Sequence, residues 1–274
     1  MTVSLTHFAA RVGDHNDRAM AASPVLAEVL GARLGTAATV IGEPSSAEPT
    51  GWQAELATAL PALLLMATRY DEVFTNGHSP VAAISRCATA LATLPVVARH
   101  RPDAVVVWYD AHADLNTPVG TESGYLGGLA LSGPLGLWDS GLGAGLAPRN
   151  TVIVGARDID EPERAVLASG DIRVVPVGAD MSARLALAID GRPVYVHIDC
   201  DVLDPGIVPT DYHVPGGMTL EQLTACARAL AQSEVIGLEI GELETGETPP
   251  RQAEALIVDA LEPLLARLDG GGRR

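Results

Sequence analysis

The chain has 274 residues, 47% of them hydrophobic, which is enough to bury a full core, and its formal charge of −16 sets 18 basic against 34 acidic residues. That charge repels a phosphate backbone and removes the attraction on which nucleic-acid binding rests, so a small cationic substrate suits the field better. Cys87, Cys200 and Cys226 are too few and too far apart for a secreted disulfide framework, and the first ten residues lack a signal-peptide layout. The apolar run 60–66 is too short to span a bilayer. The expectation is a cytoplasmic protein with no membrane partner. No Pro/Ser/Gly-rich linker divides residues 1–274, so the expectation is also a single domain, with self-association into a homo-oligomer left open.

In chain order, short apolar runs alternate with longer helical patterns, the sequence form of βα units around a buried parallel sheet. The predicted strands are 3–8, 39–41, 81–85, 104–109, 151–154, 172–175, 194–198 and 235–240, with helices between most of them. They imply an α/β, three-layer αβα fold around a central, mostly parallel sheet of about eight strands. The glycine-rich stretch 133–145 reads as a long loop, and residues 270–274 as a frayed tail. In such sheets the chemistry collects where the chain leaves the carboxyl ends of the strands, so polar residues there carry first weight.

Directly after the run 104–109 come Asp110, His112 and Asp114 at alternate positions, and residues two apart on an extended chain face the same side. Directly after 194–198 come Asp199 and Asp201, followed by the turn-forming Leu203-Asp204-Pro205-Gly206. A single Asp-x-Asp is usually a solvated turn or a helix cap. Two acidic clusters at strand ends are different, because each buried charge is costly unless it is paired or bound to metal. Four carboxylates and an imidazole make a hard, oxygen-rich ligand set that favours manganese over zinc. Bridging carboxylates would hold two such ions about 3.5–4 Å apart, able to generate hydroxide at neutral pH.

The segments Asp110-Ala-His-Ala-Asp-Leu-Asn-Thr-Pro118, His197-Ile-Asp-Cys-Asp-Val-Leu-Asp-Pro205 and Gly237-Leu-Glu-Ile-Gly-Glu242 closely resemble signature segments of the arginase/agmatinase (ureohydrolase) family. The resemblance implies an arginase-like fold and a dinuclear manganese hydrolase that cleaves a guanidine with metal-bound hydroxide. It implies that Asp110 and Asp199 bridge the two manganese ions, with Asp114 on one and His112 and Asp201 on the other. Asp114 and Glu242 would then serve catalysis, with Glu242 pairing with the substrate guanidinium. It further implies that Asn116, Thr121 and Ser123 bind an α-carboxylate and that Asp160 reads an α-amino group, so the substrate is a guanidino amino acid. His213 could approach the guanidine from the other side, although an exposed loop histidine reads equally well.

Three positions depart from arginase. His78 is not the family's additional metal histidine, because it follows a helix C-cap signal and precedes the strand 81–85, at the wrong end. Cys87 stands at the carboxyl end with the matching spacing to Asp110, and is the candidate ligand in its place. Tyr125 and Gly127 stand where arginases carry asparagine and a proton-handling histidine. The three together resemble a branch of the family that acts on N-hydroxylated guanidino amino acids in antibiotic biosynthesis. Alternatives are a true arginase, which would carry histidine at position 127, and an agmatinase or guanidinobutyrase, which would not need Asn116, Thr121 and Ser123. A non-catalytic metal-binding scaffold would have no use for so many crowded carboxylates.

Overall fold

The computed structural model describes residues 2–246 and 251–270. Eight strands, β1 (Val3–Phe8), β2 (Thr39–Ile41), β3 (Ser79–Ala83), β4 (Val105–Tyr109), β5 (Thr151–Val154), β6 (Arg173–Val175), β7 (Val194–Asp199) and β8 (Val235–Gly241), form one sheet. Its order is β2-β1-β3-β8-β7-β4-β5-β6, with every pairing parallel. Parallel strands covered on both faces are near-continuous apolar runs, and β3, β4, β5, β7 and β8 are buried throughout, with the polar His197, Asp199 and Glu239 buried among them. The edge strands β2 and β6 are largely exposed and correspondingly short.

Helices α1 (Arg18–Leu34), α2 (Trp52–Thr75), α3 (Ala90–His100), α4 (Glu161–Leu167), α5 (Met181–Ile189), α6 (Leu220–Leu230), α7 (Gln252–Ala260) and α8 (Glu262–Gly270) supply the outer layers. The period of two along β4 sorts its side chains between them. Val105, Val107 and Tyr109 join the core under α1 and α5 to α8. Val106 and Trp108 join the core under α2 and α3. The fold is thus the three-layer αβα arrangement read from the sequence, with an entirely parallel sheet. Among the described residues no helix is long and apolar enough to cross a membrane.

Strands β4, β6, β7 and β8 each differ from the sequence reading by one residue at one end, and β3 and the C-terminal helix differ in ways that have a physical reason. Strand β3 starts at Ser79 and includes Pro80, which is tolerated because β8 joins β3 only from Val81 onward. Past Ala83 the chain still follows β8 through Ile84 N to Ile240 O (3.0 Å) and Glu242 N to Ser85 O (2.9 Å). Helix α8 runs to Gly270, where the tail was expected to fray, and residues 271–274 of that tail lie outside the described residues.

The sheet order matters most for chemistry. It places β3, β8, β7 and β4 side by side, so four chain segments that are distant in sequence leave the sheet next to one another.

Candidate active site

Both acidic clusters sit at those central strand ends, but continued strand geometry is not what shapes them. Strand β4 ends at Tyr109 and β7 at Asp199. At each of these ends an aspartate folds the chain back on its own carboxylate: Asp110 Oδ1 accepts from His112 N at 2.7 Å, and Asp199 Oδ1 from Asp201 N at 2.7 Å. An aspartate side chain that captures the amide two residues on makes a local turn, which brings the residue at i+2 beside the one at i. The two turns are joined by Ala111 N donating to Asp201 Oδ1 at 3.0 Å. The Arg157 guanidinium pins the second turn by donating to the carbonyls of Asp201 (2.9 Å), Val202 (3.3 Å) and Leu203 (3.3 Å).

Asp114 and Glu242 complete the arrangement with left-handed backbones, φ of 52° and 60°. For non-glycine residues this conformation costs on the order of 1–3 kcal/mol and persists where the surroundings impose it, commonly at functional sites. Cys87 opens a 3-10 turn after β3 and is 1% exposed. Its Sγ lies 3.3 Å from Asp199 Oδ2 and 3.0 Å from His197 Nε2, and its amide donates to Glu242 Oε1 at 2.8 Å.

The donor atoms form three overlapping groups, each within 4.8 Å: Asp110, His112 and Asp201; Cys87, Asp110 and Asp114; and Cys87, Asp199 and Glu242. Electrostatics show that this cluster draws positive charge. Burial, then the carboxylates of neighbouring residues, push Asp114 and Asp199 well above the usual carboxylate range. Burial disfavours protonation of His112, yet its hydrogen bonds to Asp110 and Asp201 push it up to about 12. Burial and the surrounding carboxylates raise the Cys87 thiol well above its ordinary value. Buried like charges of this kind are relieved by metal cations, and the oxygen-rich set with one imidazole and one thiol fits two hard divalent ions.

A cleft of about 200 Å³ opens directly on this cluster and on Asn116, Ser123, Tyr125, Gly127 and Asp160. Asn116 Nδ2 donates to Asp160 Oδ2 at 2.7 Å. Glu163 holds the two supporting segments together, accepting from Leu115 N and Asp160 N at 2.9 Å each. Tyr125 Oη donates to Glu242 Oε1 at 3.4 Å. Two expected contacts are absent from the cleft wall. Thr121 Oγ1 accepts from Gly124 N at 3.0 Å and serves its own turn. His213 is exposed, and its neighbour Tyr212 lines the cleft instead, packed edge-on to His112 with ring centroids 5.1 Å apart.

Several residues of the site have no role in the sequence reading. Tyr212 sits in an exposed loop. Arg86 is fully buried, and its Nη1 donates to Glu242 Oε2 at 2.6 Å. His197 stacks on Trp108 with centroids 3.6 Å apart and places its Nδ1 2.7 Å from Glu239 Oε1. The position of His197, two residues before Asp199 on the same strand, was the one available hint.

Comparison with known proteins gives the family and the fold. The arginase family model matches residues 53–264. The chain is 42% identical over 239 residues to N(omega)-hydroxy-L-arginine amidinohydrolase of Streptomyces lavendulae, covering 86% of this chain and 88% of that protein. It is 30% identical over 224 residues to mitochondrial arginase-2 of Mus musculus, covering 72% of this chain and 63% of that one. The crystal structure of arginase from Bacillus subtilis superposes with a TM-score of 0.83 over 97% of this chain and 98% of that one, at 21% identity, and shares its fold. The chain belongs to the arginase family.

Proposed function

We propose that residues 1–274 form one ureohydrolase domain, an amidinohydrolase that converts Nω-hydroxy-L-arginine to hydroxyurea and L-ornithine in D-cycloserine biosynthesis, with two manganese ions held by Cys87, Asp110, His112, Asp114, Asp199 and Asp201. The observation that carries the reading is the junction of two features in one cleft: a carboxylate-rich metal cluster opens directly against Asn116, Ser123 and Asp160, groups suited to an amino-acid terminus. The Streptomyces lavendulae relative supports the choice of substrate. The manganese pair, when bound, acidifies water so that a hydroxide nucleophile is available near neutral pH.

The chain's own residues bind and orient. Ser123 and Asn116 receive the substrate carboxylate, while Asp160 takes the amino group through its exposed carboxylate. Tyr125 and Tyr212 wall the cleft beside Glu242 and limit access of bulk water. Glu242 accepts a hydrogen bond from the guanidine nitrogen, and the Asp114 carboxylate takes a proton from the attacking water and gives it to the δ-amine of L-ornithine as the C–N bond breaks. An N-hydroxyguanidine brings its own exchangeable proton on oxygen, so the reaction can proceed with Gly127 in place of a proton-handling side chain. Three buried free cysteines suit a reducing compartment, which supports a cytoplasmic enzyme.

A product assay tests the reading: manganese-loaded protein is given Nω-hydroxy-L-arginine, L-arginine and agmatine in parallel. Hydroxyurea and L-ornithine from the first should form with the highest kcat/KM. Faster urea release from L-arginine would assign an arginase, and preference for agmatine would remove the roles given to Ser123 and Asn116.

A further inference from the structure

We propose that Arg86 sets the charge preference of the cleft: its guanidinium already occupies Glu242, so the site accepts a weakly basic N-hydroxyguanidine and discriminates against the permanent cation of L-arginine. This inference rests on the functional reading above and adds to it a residue and a selection rule.

Arg86 is fully buried, and each of its nitrogens meets an acidic partner: Nη1 to Glu242 Oε2 at 2.6 Å, Nη2 to Glu244 Oε1 at 2.9 Å and Nε to Asp14 Oδ1 at 3.3 Å. Asp211 Oδ2 lies farther off, 3.7 Å from Nη1. The other carboxylates also have partners of their own. Glu244 Oε2 is paired with Arg18 Nε at 2.7 Å, and Asp211 Oδ1 with Arg18 Nη2 at 3.2 Å. Asp14 Oδ2 accepts from Val12 N at 2.9 Å and from Ser85 Oγ at 3.3 Å. Among these four carboxylates only Glu242 lines the cleft.

Glu242 has little left to offer a second guanidinium. Its Oε2 is held by Arg86, and its Oε1 accepts from Cys87 N at 2.8 Å and Tyr125 Oη at 3.4 Å. A fork-to-fork pair needs both oxygens free, so the strongest form of guanidinium recognition is closed to the substrate. A cationic guanidinium at Glu242 would also come within reach of the Arg86 guanidinium, a like charge bound to the same carboxylate. The electron-withdrawing hydroxyl of an N-hydroxyguanidine makes the group far less basic. In its neutral form it can donate one hydrogen bond to Glu242 without bringing a second cation into the pocket.

The test begins with unmodified, manganese-loaded protein and measures the dissociation constants of L-citrulline and L-arginine directly, by titration calorimetry. These share an amino-acid end and a planar three-heteroatom head, the first neutral and the second cationic. L-Citrulline should bind at least as tightly as L-arginine; tenfold or tighter binding of L-arginine would overturn the proposal. Arg86→Gln should then shift the ratio at least tenfold towards L-arginine, and Arg86→Lys, which keeps a cation, should leave it near the wild-type value. Because Arg86→Gln exposes buried carboxylates to a lost partner, Arg86→Gln/Glu244→Gln removes one charge of each sign and should show the same shift. A folded variant lacking the cation with an unchanged ratio would also overturn the assignment, and a shift equal in Arg86→Lys would reduce Arg86 to a structural role. Absence of hydroxyurea formation by wild type would instead remove the functional reading, since the citrulline-to-arginine ratio is a binding measurement that needs no turnover.

Discussion

A Cβ placed on Gly127 would lie 2.4 Å from Cε1 and 2.7 Å from Cζ of the Tyr125 ring. The two residues are therefore one structural substitution: the ring fills the volume that any side chain at position 127 would enter. The ring also packs on His15, with centroids 4.3 Å apart, and its hydroxyl reaches Glu242, so it has little room to move aside.

Gly127→His alone should accordingly overpack the cleft, at a cost of about 1–3 kcal/mol. Thermal melting should show a fall of roughly 2–4 °C per kcal/mol, with activity reduced as well. Adding Tyr125→Asn should restore most of the melting temperature. If the single variant melts as wild type does, the coupling between the two positions is wrong.

The triple variant Cys87→His, Tyr125→Asn and Gly127→His should move turnover from Nω-hydroxy-L-arginine towards L-arginine, read as urea against hydroxyurea at equal manganese. Cys87→His by itself should do little, because groups that act as a unit are non-additive. Wild type that already prefers L-arginine would overturn the substrate assignment while leaving the hydrolase reading intact.

The protein should bind about two manganese ions, and Asp199→Asn or Asp110→Asn should lose both together, since each is proposed to bridge. Metal analysis after gel filtration, with melting in the presence of a chelator, measures this. Binding to the folded state alone raises stability by mass action, so removal of metal should lower the melting temperature. Full manganese content in Asp199→Asn would exclude bridging.

Glu242→Gln should lower kcat, whereas Ser123→Ala should chiefly raise KM. Loss of a hydrogen bond to a charged partner costs about 1.5–3 kcal/mol, roughly a 10- to 150-fold effect. Steady-state kinetics on Nω-hydroxy-L-arginine separate the two. An unchanged profile in both would reverse or abolish the proposed orientation of the substrate.

Glu55, 1% exposed on α2 and outside the proposed ligand set, offers a pH-dependent test. Burial pushes its carboxyl from 4.5 up to about 7. With the folded-state value raised, the folded state holds the proton more tightly than the unfolded chain. Its contribution is complete below pH 4.5 and declines as pH rises towards 7, where the unfolded chain is already ionised. Glu55→Gln should therefore raise the melting temperature at pH 8 and change it little at pH 4.5. Equal effects at the two values would show that Glu55 ionises freely in the folded state.

The sequence alone marked the strands of the sheet and the acidic residues that the structure gathers at their ends. Strands buried on both faces are mostly apolar, so β4 and β7 announce themselves as Val-rich runs, and Asp110, His112, Asp199 and Asp201 stand out because charge comes where such runs end. Cys87 was likewise legible from its place after β3. Only tertiary structure decided what these groups meet. The order that sets β3, β8, β7 and β4 side by side arises from crossovers whose destination no local pattern encodes. The ion pair of Arg86 and Glu242 spans 156 positions, and the contact of Cys87 with His197 spans 110. Likewise Tyr212, and not His213, faces the cleft because loop conformation fixes which neighbour turns inward. Hydrophobic periodicity reports burial along one segment, whereas a charge pair depends on the distance between segments, a quantity that exists only once the chain has folded.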